Sequence, residues 1–160
     1  MQIVTTEMRD EICAKVRAHR RKKERWQEIL DCIFELRERS EFFTEGGDKM
    51  SETERSCIMY EKARKRFAIL AEDVEGVEKA LNGVAFAQDD ENYGVRLAHA
   101  ILLECEGFAS AEILIAEQEL KEWGDFISPQ QFRWHKTKFI EDLAHIWGYV
   151  GGVEMLLFGV

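Results

Sequence analysis

Proline occurs once in this chain, at Pro129, so over most of its 160 residues nothing in the backbone forces a helix to stop. A proline inside a helix removes a hydrogen-bond donor and clashes with the preceding turn. The apolar residues use that freedom. Between Thr5 and about Glu41, Met8, Ile12 and Val16, then Trp26, Leu30, Ile33 and Phe34, share one face at 100° per residue. The spacing predicts one long helix over 5–41 with a weak seam in the polar run His19–Arg25 (HRRKKER). At about 1.5 Å per residue that helix is over ~50 Å long, which predicts an elongated molecule.

Three more helices follow from the same spacing and its punctuation. Gly46-Gly47 breaks the chain, and Ser51-Glu52-Thr53-Glu54 has the form of a capping box. A second helix then spans 51–82 on the stripe Met59, Ala63, Phe67, Leu70, Val74, Val77 and Leu81, with Asn82-Gly83 as its left-handed end. Asp89-Asp90 caps a third helix over 89–124, whose broad apolar face runs from Tyr93 to Ile115 with Gly107 as a site for a kink. Ser128-Pro129-Gln130-Gln131 starts a fourth over 129–158, interrupted late by Gly148, Gly151 and Gly152. No strand signal is present. The expected fold class is all-α, an elongated antiparallel up-down-up-down four-helix bundle in one domain. The alternative, ranked second, is a helical hairpin arm (1–82) attached to a second helical hairpin (88–160).

Composition narrows the function classes. A content of 46% hydrophobic and 33% charged residues is that of a globular domain. No window approaches the roughly 18 apolar residues of a membrane span, and no signal peptide is apparent. Cys13, Cys32, Cys57 and Cys105 lack CxxC spacing, so free thiols in a reducing cytoplasm are expected. No nucleophile elbow, glycine-rich phosphate loop or HExxH is found, and the four histidines have no nucleophile context.

Charge is the more informative property. Residues 72–125 hold 3 Lys+Arg against 14 Asp+Glu, whereas residues 1–71 hold 16 against 14. Glu72, Asp73, Glu75, Glu78, Asp89, Asp90, Glu91, Glu106, Glu117 and Glu122 are expected along an exposed ridge. Carboxylates at such spacing imitate a phosphate backbone and fit a cationic groove on another protein. Phe42, Phe43, Trp123, Phe126 and Phe158 are the expected aromatic anchors.

A second constellation carries metal chemistry. Glu104 and Glu112 fall inside the apolar arc of the third helix, eight residues or about 12 Å apart, so further ligands must come from another helix. Asp142-x-x-His145 on the fourth helix is the nearest offer, and Mg2+ or Mn2+ the ion such ligands would take. The order LLECEGFASAE, EWGDF, KFIEDLAHIWGYVGGVEML, over about the last 60 residues, is loosely similar to the all-α nucleotide pyrophosphohydrolases of the MazG type. That family binds magnesium with a Glu-Glu-x-x-Glu helix and a Glu-x-x-Asp helix. Carried over, Leu103 and Gly107 replace the first and third glutamates, Glu104 remains, and Asp142 and His145 replace the second pair. Four of the five ligand positions depart from the pattern, so the resemblance implies a scaffold with a degenerate site.

The third constellation is basic. Arg20, Arg21, Lys22, Lys23 and Arg25 on the first helix meet Arg64, Lys65 and Arg66 on the second if the chain folds back at Gly46-Gly47. Such a face contacts phosphate or nucleic acid. The expectation ranked first is a cytoplasmic, non-enzymatic helical protein, an inhibitor or adaptor, that docks its acidic surface on a protein with a basic, nucleic-acid-binding groove. It needs no cofactor and no membrane, and long helices with apolar ends leave room for a homodimer. A metal-dependent nucleotide hydrolase ranks second, and direct nucleic-acid binding third.

Overall fold

The computed structural model describes residues 4–43 and 52–150, and of residues 36–43 and 52 only the backbone. Among the described residues there are seven helices and one two-stranded ribbon. They are α1 (Thr6–Arg17), α2 (His19–Phe43), α3 (Glu52–Arg66), α4 (Ala68–Phe86), α5 (Glu91–Cys105), α6 (Ala111–Glu117), β1 (Lys121–Glu122), β2 (Asp125–Phe126) and α7 (Pro129–Ile146). The protein is mostly helical, and no described helix is long and apolar enough to cross a membrane.

The chain divides into two compact units, Arg20–Val74 and Met1–His19 with Glu75–Val160. The first has a small core of its own. Trp26 and Leu30 from α2, Ala63 from α3, and Ala71 and Val74 from α4 are buried together, and Trp26 meets Tyr60 edge to face with ring centroids 6.0 Å apart. The second unit holds the larger core, in which Ile12, Leu97, Ile101, Leu114, Leu120, Phe132, Phe139 and Leu143 are completely or almost completely buried. Here α1, α5 and α6 all pack on α7. Each such side chain contributes roughly 1.5–3 kcal/mol on burial, so this cluster dominates the unit's stability. The Gly94 backbone in α5 lies so close to the end of α4 that an added Cβ would stand 2.1 Å from the Ala85 carbonyl oxygen.

Helix ends account for the differences from the expected segments. The first segment breaks at Ala18, close to its polar seam, and the second breaks at Phe67. The expected stop at Asn82-Gly83 is corrected. Helix α4 runs through Gly83 to Phe86, because Val84 and Ala85 bury apolar surface that outweighs the ~1 kcal/mol helix penalty of a glycine. The expected third helix over 89–124 is also corrected, since it ends at Cys105. There Gly107 adopts φ +81°, its N–H bonds to the Glu104 carbonyl, and the Phe108 N–H bonds to the Leu103 carbonyl. This is a Schellman motif, which satisfies the last carbonyls of the helix and turns the chain. The chain restarts as the short α6 and closes with the same motif, but with Glu119 in the left-handed position at φ 50°. Helix α7 begins on the expected capping box between Ser128 and Gln131 and ends at a third Schellman motif around Gly148. The expected fourth helix over 129–158 is therefore corrected, since it stops at Ile146 where Gly148 turns left-handed; residues beyond Val150, like Gly46-Gly47 and Ser51, lie outside the described residues.

Candidate functional site

The most distinctive site lies in the second unit, where the loop before α5 faces the ribbon β1–β2. Asp90 caps α5, its Oδ1 accepting from the backbone N–H groups of Asn92 (2.9 Å) and Tyr93 (3.3 Å). The ribbon pairs Lys121 with Phe126 and Glu122 with Asp125, leaving Trp123-Gly124 as a two-residue turn. Both turn residues have positive φ, 58° for Trp123 and 88° for Gly124, as a type I′ turn requires. Between these elements is a cleft of about 520 Å³ lined by Gln88, Asp89, Asp90, Tyr93, Arg96, Glu119, Lys121, Glu122 and Trp123, four carboxylates against two cations.

The cleft has a rigid wall and an exposed tip. Tyr93 is buried, and its hydroxyl donates to Glu122 Oε1 at 3.3 Å. Burial first, and the neighbouring Glu122 second, push its pKa up to about 12. Arg96 Nη1 donates to the Gln118 carbonyl at 3.3 Å and so ties α5 to the end of α6. The Lys121 ammonium sits 4.6 Å from the centre of the Phe126 ring. Asp89 and Glu119 are exposed, and Trp123 is 100% exposed. Glu119 and Trp123 are the two non-glycine residues with positive φ among the described residues, and both line this cleft. A bulky side chain in that conformation is strained, and strain of this kind concentrates where a protein uses a residue rather than packs it.

The expected acidic ridge is distributed differently. Asp89, Asp90, Glu91 and Glu117 are exposed in the second unit, whereas Glu106 and Glu122, expected to point outward, are half-buried. Glu75 and Glu78 are half-buried too. In the first unit Glu72 is exposed, but Asp73 pairs with Lys22 at 2.7 Å. Of the expected aromatic anchors, Phe126 is exposed alongside Trp123. Phe158 and the side chains of Phe42 and Phe43 lie outside the described residues.

The first unit brings the two basic runs to one place. Lys22 and Arg25 from α2 and Lys65 and Arg66 from α3 line a cleft of about 550 Å³ together with Asp73, the partner of Lys22, and the apolar Phe67, Ala68, Ile69 and Leu70. Ile69 is 80% exposed, and the Arg66 guanidinium lies 5.6 Å from the centre of the Phe67 ring. Arg20, Arg21, Lys23 and Arg64 belong to the same helices but do not line this cleft.

The residues of the metal reading take other places. Glu104 forms a half-buried ion pair with Lys136 of α7 at 2.5 Å. Glu112, expected inside the apolar arc, is exposed, because the turn at Gly107 resets the rotation of α6 relative to α5. His145 is exposed and Asp142 half-buried. Among the described residues no three His, Cys, Asp or Glu side chains are grouped so as to hold a metal ion. The four cysteines are free, Cys105 being buried and its thiol pushed up to about 12 by that burial. No protein-family model, curated protein or solved structure matches the chain.

The ribbon and its cleft were not anticipated by the helical spacing. The signal available was local: Leu120-Lys-Glu-Trp-Gly-Asp-Phe-Ile127 places a Trp-Gly pair between short alternating runs, and Leu120 and Ile127 are both buried.

Proposed function

We propose that this protein is a non-enzymatic, cytoplasmic interaction protein, an inhibitor or adaptor, that docks the acidic cleft of the second unit on a basic groove of a partner. The observation that carries the reading is Trp123: an indole held wholly in solvent at the tip of a strained turn, beside the exposed carboxylates Asp89 and Glu119. Tryptophan is the side chain most often found at the energetic centre of an interface, where it fills a pocket while surrounding charges steer approach. No folding role accounts for it, because an indole with no buried surface contributes no burial energy. The charge distribution supports the same reading. Residues 20–74 hold 13 Lys+Arg and 13 Asp+Glu, so the remainder of the chain carries the whole net charge of −9. Association should therefore be steered by the second unit and should weaken as salt rises.

The test is capture of partners from the native host by the wild type, by Trp123→Asn and by Asp89→Lys/Glu119→Lys, read by quantitative mass spectrometry. The expected result is a defined set of proteins held by the wild type and lost from both variants. Capture that is indifferent to all three substitutions would remove the proposal.

A further inference from the structure

We infer that the basic groove received by the Trp123 cleft is that of a second copy of this chain, so that the protein self-associates. The inference rests on the reading of the Trp123 cleft as a docking surface and adds the identity of what docks there. The two clefts are chemically reciprocal. One is acidic and presents a fully exposed indole. The other is basic, of similar size at about 550 Å³ against 520 Å³, and is lined with apolar groups that leave Ile69 80% exposed. An indole entering the basic cleft would lie against Phe67 and Ile69 with the Arg25, Lys65 and Arg66 cations around its face, an arrangement that aromatic rings favour. Asp89 and Glu119, flanking the indole, would meet the same cations as charge-assisted hydrogen bonds. The chain already uses this pairing internally, with Lys15 set 4.9 Å from the Trp147 ring centre and Arg66 set 5.6 Å from that of Phe67.

Charge also selects the mode of contact. Acidic cleft against acidic cleft, or basic against basic, would bring like charges face to face, which repel. The favourable contact is therefore unlike on unlike, the acidic cleft of one copy on the basic cleft of another. Every copy carries one face of each kind.

That property supplies the test. Two variants are made, one with the acidic face removed (Trp123→Asn/Asp89→Lys/Glu119→Lys) and one with the basic face removed (Arg25→Glu/Lys65→Glu/Arg66→Glu). All six residues are exposed, so both variants should fold, which circular dichroism and thermal melts verify. Sedimentation velocity is run over a wide concentration range at low and high salt. The wild type should gain mass with concentration at low salt and lose it at high salt. Each variant alone should associate at least tenfold more weakly. An equal mixture of the two should form a dimer and stop there, because each copy supplies the one face the other lacks. A wild type that stays monomeric, or a mixture that fails to pair, overturns the inference. If in that case Trp123→Asn still abolishes capture of a different protein, the docking reading stands and only its occupant was wrong; if it does not, both fall. Binding of a single-stranded oligonucleotide that depends on the basic face and not on the acidic one, with no self-association, would assign the basic cleft to nucleic acid instead.

Discussion

Replacing Trp123 by asparagine should make the protein more stable and less able to bind. The indole is 100% exposed, so its removal forfeits no buried surface and opens no cavity. Its backbone sits at φ 58°, followed by Gly124 at 88°. For an L-residue the left-handed conformation costs roughly 1–2 kcal/mol, and asparagine relieves part of this by bonding its side chain to the local backbone. Asn-Gly is the preferred pair for a type I′ hairpin. A gain of about 0.5–1 kcal/mol is expected, which for a chain of this length is about 1–4 °C in Tm. In binding, loss of a tryptophan at an interface centre costs about 2 kcal/mol or more, roughly thirtyfold in Kd. Calorimetric melts and sedimentation on the same preparations measure the two effects. A lowered Tm would refute the reasoning, since it would mean that the indole is held by the fold rather than offered to solvent.

Gly94→Ala should destabilise the second unit by about 1–3 kcal/mol, read as a lowered urea midpoint, because the new methyl would press on the Ala85 backbone rather than on a movable side chain. Iodoacetamide should label the exposed Cys32 and Cys57 first and Cys105 only after unfolding, as peptide mass spectrometry will show. His135 has its pKa lowered, chiefly by burial and against the pull of Glu122, so its contribution to stability is full above the unfolded value near 6.5 and is lost as pH falls through its folded value. His135→Gln should accordingly flatten the acid side of the stability curve measured by urea titration. Cys105 and Tyr93, both raised to about 12, are protonated in the fold where the unfolded chain has lost the proton, so stability should decline as pH rises above about 9 and again above about 10.

Local chemistry in the sequence settled that the chain is mostly helical and where several helices begin. The Ser128-Pro129-Gln130-Gln131 cap and the Asp90 cap act within four residues of themselves, and both are formed. The fold-back that brings Lys22 and Arg25 to Lys65 and Arg66 follows from helix length and one break. What the sequence left open is where a helix ends inside an apolar run, because a glycine gives the same signal in either outcome. Gly83 stays helical since Val84 and Ala85 find a core to enter, while Gly107 turns left-handed and hands the chain to a new helix. That one turn, decided by packing at a distance, puts Glu112 in solvent, leaves Glu104 paired with Lys136, and frees Leu120–Ile127 to form the hairpin. The sequence by itself therefore determined a helical chain with segregated charge. Only tertiary structure decided which carboxylates share a surface and that a tryptophan stands exposed among them, since burial is a property of the whole packed unit and not of any residue's neighbours in the chain.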